Sequence, residues 1–102
     1  MAKPILTATI FDKHGNILAR ESNSYNCTHP IQYKFANIVG EPTRIYLHAE
    51  IAAIVKVKQK AKMYKIKVER YDRQGILKCA KPCKVCEAAI NFYGIKYVEY
   101  ST

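Results

Sequence analysis

The sequence predicts an α/β fold, a β-β-(α)-α-β-α-β core with about four strands. Three observations predict it. Two runs rich in β-branched and apolar residues flank a short glycine-containing turn near the start. Two later stretches carry apolar residues at helical spacing, and each is followed by a strand-like run. Strands separated by helices need crossover connections, so the later part of the sheet is expected to be parallel.

The elements follow in order. Ile5–Asp12 and Ile17–Ser22 read as strands, and Lys13-His14-Gly15-Asn16 between them reads as a hairpin turn. The stretch from Asn23 to Tyr46 is less regular. Within it, Ile31–Val39 can form a short helix, with Thr28 as its cap and Gly40 as its stop. His48–Lys58 carries Ile51, Ile54 and Val55 at i, i+3 and i+4, the spacing of an amphipathic helix. Met63–Tyr71 alternates, with Tyr64, Ile66 and Val68 on one side and Lys65, Lys67 and Glu69 on the other. That pattern predicts a strand with one wet or weakly covered face. Pro82 suits the first turn of a helix running to about Tyr93, and Gly94 suits its end. Ile95–Tyr100 is the last expected strand.

A chain of 102 residues is expected to form a single domain, residues 1–102. So small a domain buries a limited core, and metal binding or oligomerisation can add to its stability. No apolar run approaches membrane-spanning length, and the first residues do not read as a signal peptide. The expected compartment is the cytoplasm, with no membrane partner. There the cysteines Cys27, Cys79, Cys83 and Cys86 bind metal or do redox chemistry more often than they form disulfides. The net charge is +9, which favours anionic substrates or partners. Seven Lys/Arg lie between Lys56 and Arg70, with Glu69 as the one acid among them. That cluster keeps a nucleic-acid partner in play beside the plainer reading of a solvated basic surface.

Two short motifs carry the chemistry. His48-Ala49-Glu50 and Pro82-Cys83-Lys84-Val85-Cys86 read together as H-x-E followed by P-C-x-x-C. One imidazole and two thiolates make three zinc ligands and leave a tetrahedral ion with an open fourth position, as catalysis requires. Cys83 and Cys86 are three apart at an expected helix start, so both thiols project from one face. The positive end of that helix favours thiolates. Zinc so held lowers a water's pKa to about 7 and gives hydroxide at neutral pH. Glu50 is close enough in sequence to exchange a proton with that water without being a ligand. Two other readings stay open, a thioredoxin-like redox pair and a structural Cys₃His zinc site closed by Cys79. Cys79 and Cys27 are otherwise expected to be small buried hydrophobes. His14 and His29 are expected to be exposed or to act as caps.

At these residues the chain resembles the cytidine deaminase superfamily of zinc-dependent nucleobase deaminases. The resemblance covers most of the chain. It implies the family's three-layer-type fold reduced to the core above, with one sheet face lacking its usual helical cover. The Ile31–Val39 segment or a second subunit is expected to supply that cover. The resemblance also implies one zinc per chain on His48, Cys83 and Cys86, with Glu50 as the catalytic proton shuttle. Main-chain groups at Ala49 and Pro82 are implied to touch the base, and Asn23, with Asn26 next, is the implied sugar contact. The ending Ala88-Ala89-Ile90 through Gly94-Ile95-Lys96-Tyr97-Val98 is similar to the deoxycytidylate and tRNA deaminase branch.

These residues lead first to hydrolytic deamination of cytosine in a free nucleoside or nucleotide, with lysines such as Lys81 or Lys84 as phosphate partners. The alternative is a cytosine or adenine within single-stranded DNA or RNA, reached through interleaved lysines and tyrosines. A non-catalytic zinc-stabilised binding module is a third reading, and it gives Glu50 no task. The eight tyrosines suit a homo-oligomer interface.

Overall fold

The computed structural model describes residues 5–23, 28–41, 47–72 and 74–101. Among the described residues, five strands and three helices follow one another in the order β1 (Ile5–Phe11), β2 (Ile17–Ser22), α1 (Pro30–Ile38), α2 (Ala49–Lys56), β3 (Lys65–Tyr71), β4 (Leu77–Lys78), α3 (Lys84–Phe92) and β5 (Tyr97–Tyr100). A single 3₁₀ turn, Lys60–Lys62, leads from α2 to β3.

β1 lies between β2 and β3 and is antiparallel to both. The far edge of β3 is shared. Its first half pairs in parallel with β5, Lys65 opposite Tyr97 through Val68 opposite Tyr100. Its end pairs antiparallel with β4, at Arg70–Lys78 and Tyr71–Leu77. The expected parallel pairing is therefore present, on either side of the α3 crossover. The sequence expects about four strands. The fifth, β4, is only two residues long, too short to leave a periodic signal.

The turns joining β1 to β2 and β3 to β4 are built alike. Asp12 accepts from the His14 and Asn16 N–H groups through Oδ1, both at 2.9 Å. Asp72 accepts from the Gln74 and Ile76 N–H groups in the same way, at 2.9 and 3.0 Å. In each turn the aspartate's own N–H bonds a carbonyl four residues on, and the glycine N–H bonds back to the aspartate carbonyl. These donors hold both carboxyl groups below the usual carboxylate range.

The alternation in β3 sorts its residues as expected. Ile66 and Val68 are fully buried and sit opposite Ile10 and Ala8 of β1, which are also fully buried. Lys67 is exposed on the other face, and Lys65 and Glu69 are half-buried there. α2 packs on β1, β2 and β3. It is nearly apolar all round, with Ala49, Ile51, Ala52, Ala53 and Ile54 buried, because α1 and α3 cover its other side. Its three alanines favour the helix and let neighbouring backbones approach.

α1 does not cover the second sheet face. Its buried stripe, Gln32, Phe35 and Ala36, turns toward α2 and α3. Phe35 packs edge-on against Phe92 and Tyr93, with ring centroids 5.5 and 6.2 Å apart. The expected Thr28 cap is also corrected. Pro30 fixes the first helical position, so the cap falls on His29, whose Nδ1 accepts from the Ile31 N–H at 3.1 Å. Gly40 ends α1 as expected.

α3 begins later than expected. Cys83 is its cap and Lys84 its first residue, so Pro82 lies before the helix rather than in its first turn. At its other end Gly94 takes a φ of +70°, and the Ile95 N–H bonds the Ile90 carbonyl. Only glycine enters that left-handed conformation cheaply, and it turns the chain from α3 into β5. No helix among the described residues is long and apolar enough to cross a membrane.

Candidate metal centre

The N-termini of α2 and α3 meet, and the two motifs meet with them. His48 is the cap residue of α2, and Cys83 is the cap residue of α3. Cys86 follows in the first turn of α3 and is fully buried. His48 Nδ1 lies 3.2 Å from Cys86 Sγ and 3.5 Å from Cys83 Sγ. The three donor atoms all lie within 4.8 Å of one another. Tetrahedral zinc with its usual bond lengths separates a nitrogen and a sulfur ligand by about 3.6 Å. The two nitrogen–sulfur separations are close to that, so the donor set is positioned to hold one zinc ion. Among the described residues, no other group of three or more His, Cys, Asp or Glu side chains is placed to hold a metal.

The electrostatics agree with that donor set. The Cys83 thiol is lowered to about 3, because Cys86 and then His48 hydrogen-bond to its thiolate, against the opposing effect of burial. The Cys86 thiol is pushed up by its bond to Cys83, by burial and by Glu50 nearby. One thiolate thus forms readily, and the second is opposed by the first. A divalent cation between them removes that opposition, since zinc ligands bind deprotonated.

Glu50 sits in the first turn of α2 and is 3% exposed. Its Oε1 is buried with no hydrogen-bond partner among the described residues. Burial raises its carboxyl above the usual range, while its own backbone N–H, Cys86 and His48 favour the charged form. A buried carboxylate oxygen without a donor is costly in a folded chain. The orphaned oxygen marks a place where a water or a ligand N–H can bind.

The remaining expected positions divide. Ala49 is the first residue of α2 and fully buried, and Pro82 directly precedes Cys83. Asn23 follows β2, and its side-chain oxygen accepts from the Leu6 N–H at 3.0 Å while its own N–H bonds the Leu6 carbonyl. Its carboxamide oxygen is thus used to extend the strand pairing. Asn26 and Cys27 lie outside the described residues. Cys79 is exposed and takes no part in the metal group, which corrects the expectation of a buried hydrophobe and leaves the Cys₃His site without its fourth ligand. The reason is local: Cys79 follows the edge strand β4, where a side chain has no covering layer. His14 is exposed in its turn, and His29 serves as a cap.

Two supporting residues escape sequence reasoning. Gln32 is fully buried on α1, and its Oε1 accepts the His48 N–H at 3.3 Å. The available signal was a glutamine in the same helical stripe as Phe35 and Ala36. Ser101 lies at the end of β5, and its hydroxyl accepts from the Arg70 N–H and donates to the Lys78 carbonyl. Its main chain bonds the Val68 carbonyl and the Ala80 N–H. It therefore fastens the segment leading to Pro82 and Cys83 onto β3. A single serine in this sequence carries no pattern that announces such a role.

Residues 2–102 match the sequence model of the family described as the cytidine and deoxycytidylate deaminase zinc-binding region. No curated protein matches the chain significantly.

Proposed function

The chain belongs to the cytidine and deoxycytidylate deaminase zinc-binding family, and from that premise we propose that it hydrolyses the amino group of cytosine in a free nucleoside or nucleotide. The observation that carries the reading is Glu50: a buried carboxylate with an unpartnered oxygen, next in the fold to a His/Cys/Cys donor set that does not need it as a ligand.

In this reading His48, Cys83 and Cys86 hold zinc. The ion, when bound, supplies the Lewis acidity that brings a water's pKa near 7. Glu50 takes the proton of the attacking water through its free oxygen. It passes that proton to the ring nitrogen of cytosine, whose C4 receives the water oxygen. A second proton follows the same route to the departing amine, so cytosine and water become uracil and ammonia. Burial shifts the Glu50 carboxyl upward, the direction that helps a carboxylate take a proton as well as give one. Main-chain groups at Ala49 and Pro82, next to His48 and Cys83 in sequence, would be the base contacts in this reading. Gln32 holds the His48 backbone, and Ser101 holds the approach to Cys83. Lys81 and Lys84 are exposed beside Pro82 and Cys83 and suit a substrate phosphate.

A second reading is deamination of cytosine or adenine within single-stranded DNA or RNA, and the +9 charge favours it. One assay separates the two. Zinc-loaded protein is incubated with cytidine, dCMP and a single-stranded oligonucleotide containing cytosine and adenine, with Cys86→Ala as the blank. The first reading expects turnover of cytidine or dCMP. Turnover of the oligonucleotide alone transfers the assignment to the second, and no turnover of any substrate overturns both.

A further inference from the structure

Away from the metal centre, basic side chains concentrate at the opposite end of α2. That end is built from the β1–β2 turn, the last turn of α2 and the Lys60–Lys62 turn. Two adjoining clefts open there. One, of about 430 Å³, is lined by Lys13, His14, Lys62 and Tyr64 among others. The second, of about 350 Å³, is lined by Lys56, Lys58 and Lys62 among others. The clefts share Lys62 and Asp12.

We propose that this pair of clefts binds the phosphate backbone of a single-stranded nucleic acid, at a surface separate from the metal centre. The eight residues of α2 lie between the two, a separation of about 12 Å at 1.5 Å per residue.

The local charges support an anionic occupant. Lys56 is paired with Glu21 at 3.3 Å, Lys60 donates to the Val57 carbonyl at 2.8 Å, and Lys65 faces Glu99 at 3.8 Å. Lys13, Lys58 and Lys62 are exposed and have no hydrogen-bond or ion-pair partner among the described residues. The acid lining both clefts, Asp12, has its carboxylate committed to the turn, accepting from the His14 and Asn16 N–H groups and from the Asn16 side chain. Three unpaired ammonium groups around two joined clefts thus face a single carboxylate that is already occupied.

The aromatic groups and the shape select the kind of polyanion. Tyr64 lines the first cleft and packs against Tyr97, which is 53% exposed, with ring centroids 5.1 Å apart. Tyr64 is half-buried and Tyr97, outside the cleft lining, is exposed; a tyrosine face open beside lysines binds a single strand by stacking a base while the lysines track phosphates. A duplex hides its bases from such rings. A membrane surface cannot follow two concave clefts, whereas a flexible strand can. The inference does not depend on which substrate the metal centre deaminates.

The test measures binding of a fluorescent single-stranded oligonucleotide by zinc-loaded protein at several salt concentrations. The triple variant Lys13→Ala/Lys58→Ala/Lys62→Ala is compared with Lys34→Ala/Lys67→Ala/Arg70→Ala, which removes the same charge outside the clefts. The expected result is a loss of about tenfold or more in affinity for the first variant. Its log–log salt slope should shrink by about 2, the value for three lost phosphate contacts on a single strand. The second variant should change affinity less than about twofold, and Tyr97→Leu should weaken binding severalfold through lost stacking. Zinc content of every variant is expected to equal that of the parent. Equal losses in the two triple variants overturn the proposal in favour of diffuse attraction. It is also overturned if the parent protein binds no oligonucleotide, or if it prefers anionic lipid vesicles. None of these outcomes bears on mononucleotide turnover, so the failure of this proposal and that of the deaminase reading are read separately.

Discussion

The two ends of α2 have opposite chemistry, and the polarity of one helix accounts for the sorting. At its N-terminus, His48 caps the helix, Glu50 is buried in the first turn, and the thiols of the α3 N-terminus converge on the same point. Two positive helix ends meet there and favour anions, against burial, which opposes the charged forms of Cys86 and Glu50. At its C-terminus, Lys56 lies in the last turn, Lys58 and Lys62 are exposed beyond it, and Lys60 donates to the Val57 carbonyl. A negative helix end favours cations. The first end is half-buried, with Cys86 and Glu50 enclosed, and the second is open and rich in ammonium groups. The contrast shows how a small domain can separate a buried reactive centre from a surface charge without a second core.

Substitutions can break or sharpen that contrast. The largest effect is expected at the N-terminal end. Cys86→Ala removes a buried ligand, so zinc content should fall from one per chain to near zero, as read by mass spectrometry under native conditions. Chelation of the parent protein should lower its thermal midpoint, because a metal that binds only the folded state at a thousand times its Kd stabilises by about 4 kcal/mol. An unchanged midpoint with chelator means that the fold does not use the metal.

Next in size is the middle of α2. Ile54 is fully buried, and Ile54→Ala should cost about 2–5 kcal/mol in denaturant unfolding. Both ends of the helix depend on this packing, so zinc retention and lysine-end binding should weaken together. A loss at one end alone breaks the view that one rigid helix carries both.

A smaller effect is expected at the C-terminal end. Lys60→Ala removes the donor to the Val57 carbonyl and should cost about 0.3–1 kcal/mol, less at high salt. The smallest effect involves Asp12. Its turn donors depress its folded pKa, so its contribution to stability is present at neutral pH. That contribution fades as pH falls below the unfolded carboxylate value and through the depressed folded one. Asp12→Ala should therefore lower the thermal midpoint slightly at pH 7 and less at pH 3. A larger difference at pH 3 contradicts that sign.

Much of this was legible in the residues themselves. The H-x-E and P-C-x-x-C spacings named the donor set, because residue type and spacing within each motif are local, although His48 meets Cys83 and Cys86 across 35 and 38 residues. The alternation of Lys65, Lys67 and Glu69 with Ile66 and Val68 named the uncovered sheet face, because a strand's period of 2 is also local. What escaped depends on contacts distant in sequence. The Asp72 turn repeats the Asp12 turn, but β4 is two residues long and offered no alternation to flank it. Gln32 and Ser101 matter through hydrogen bonds spanning 16 and 23 residues, to His48 and Lys78. Pro82 looked like a first-turn proline, and only the cap at Cys83 shows that the helix starts later. Cys79 looked apolar by type, and its exposure follows from the edge position of β4.

The central claim is that Glu50 serves the reaction and not the metal. The most direct measurement takes zinc stoichiometry and nucleoside or nucleotide turnover on the same preparation of Glu50→Gln. The account predicts one zinc per chain, as in the parent, and a rate reduced by about 10²–10⁴, the usual contribution of a general acid–base group. Turnover close to the parent's with zinc retained, or loss of zinc along with the rate, contradicts it.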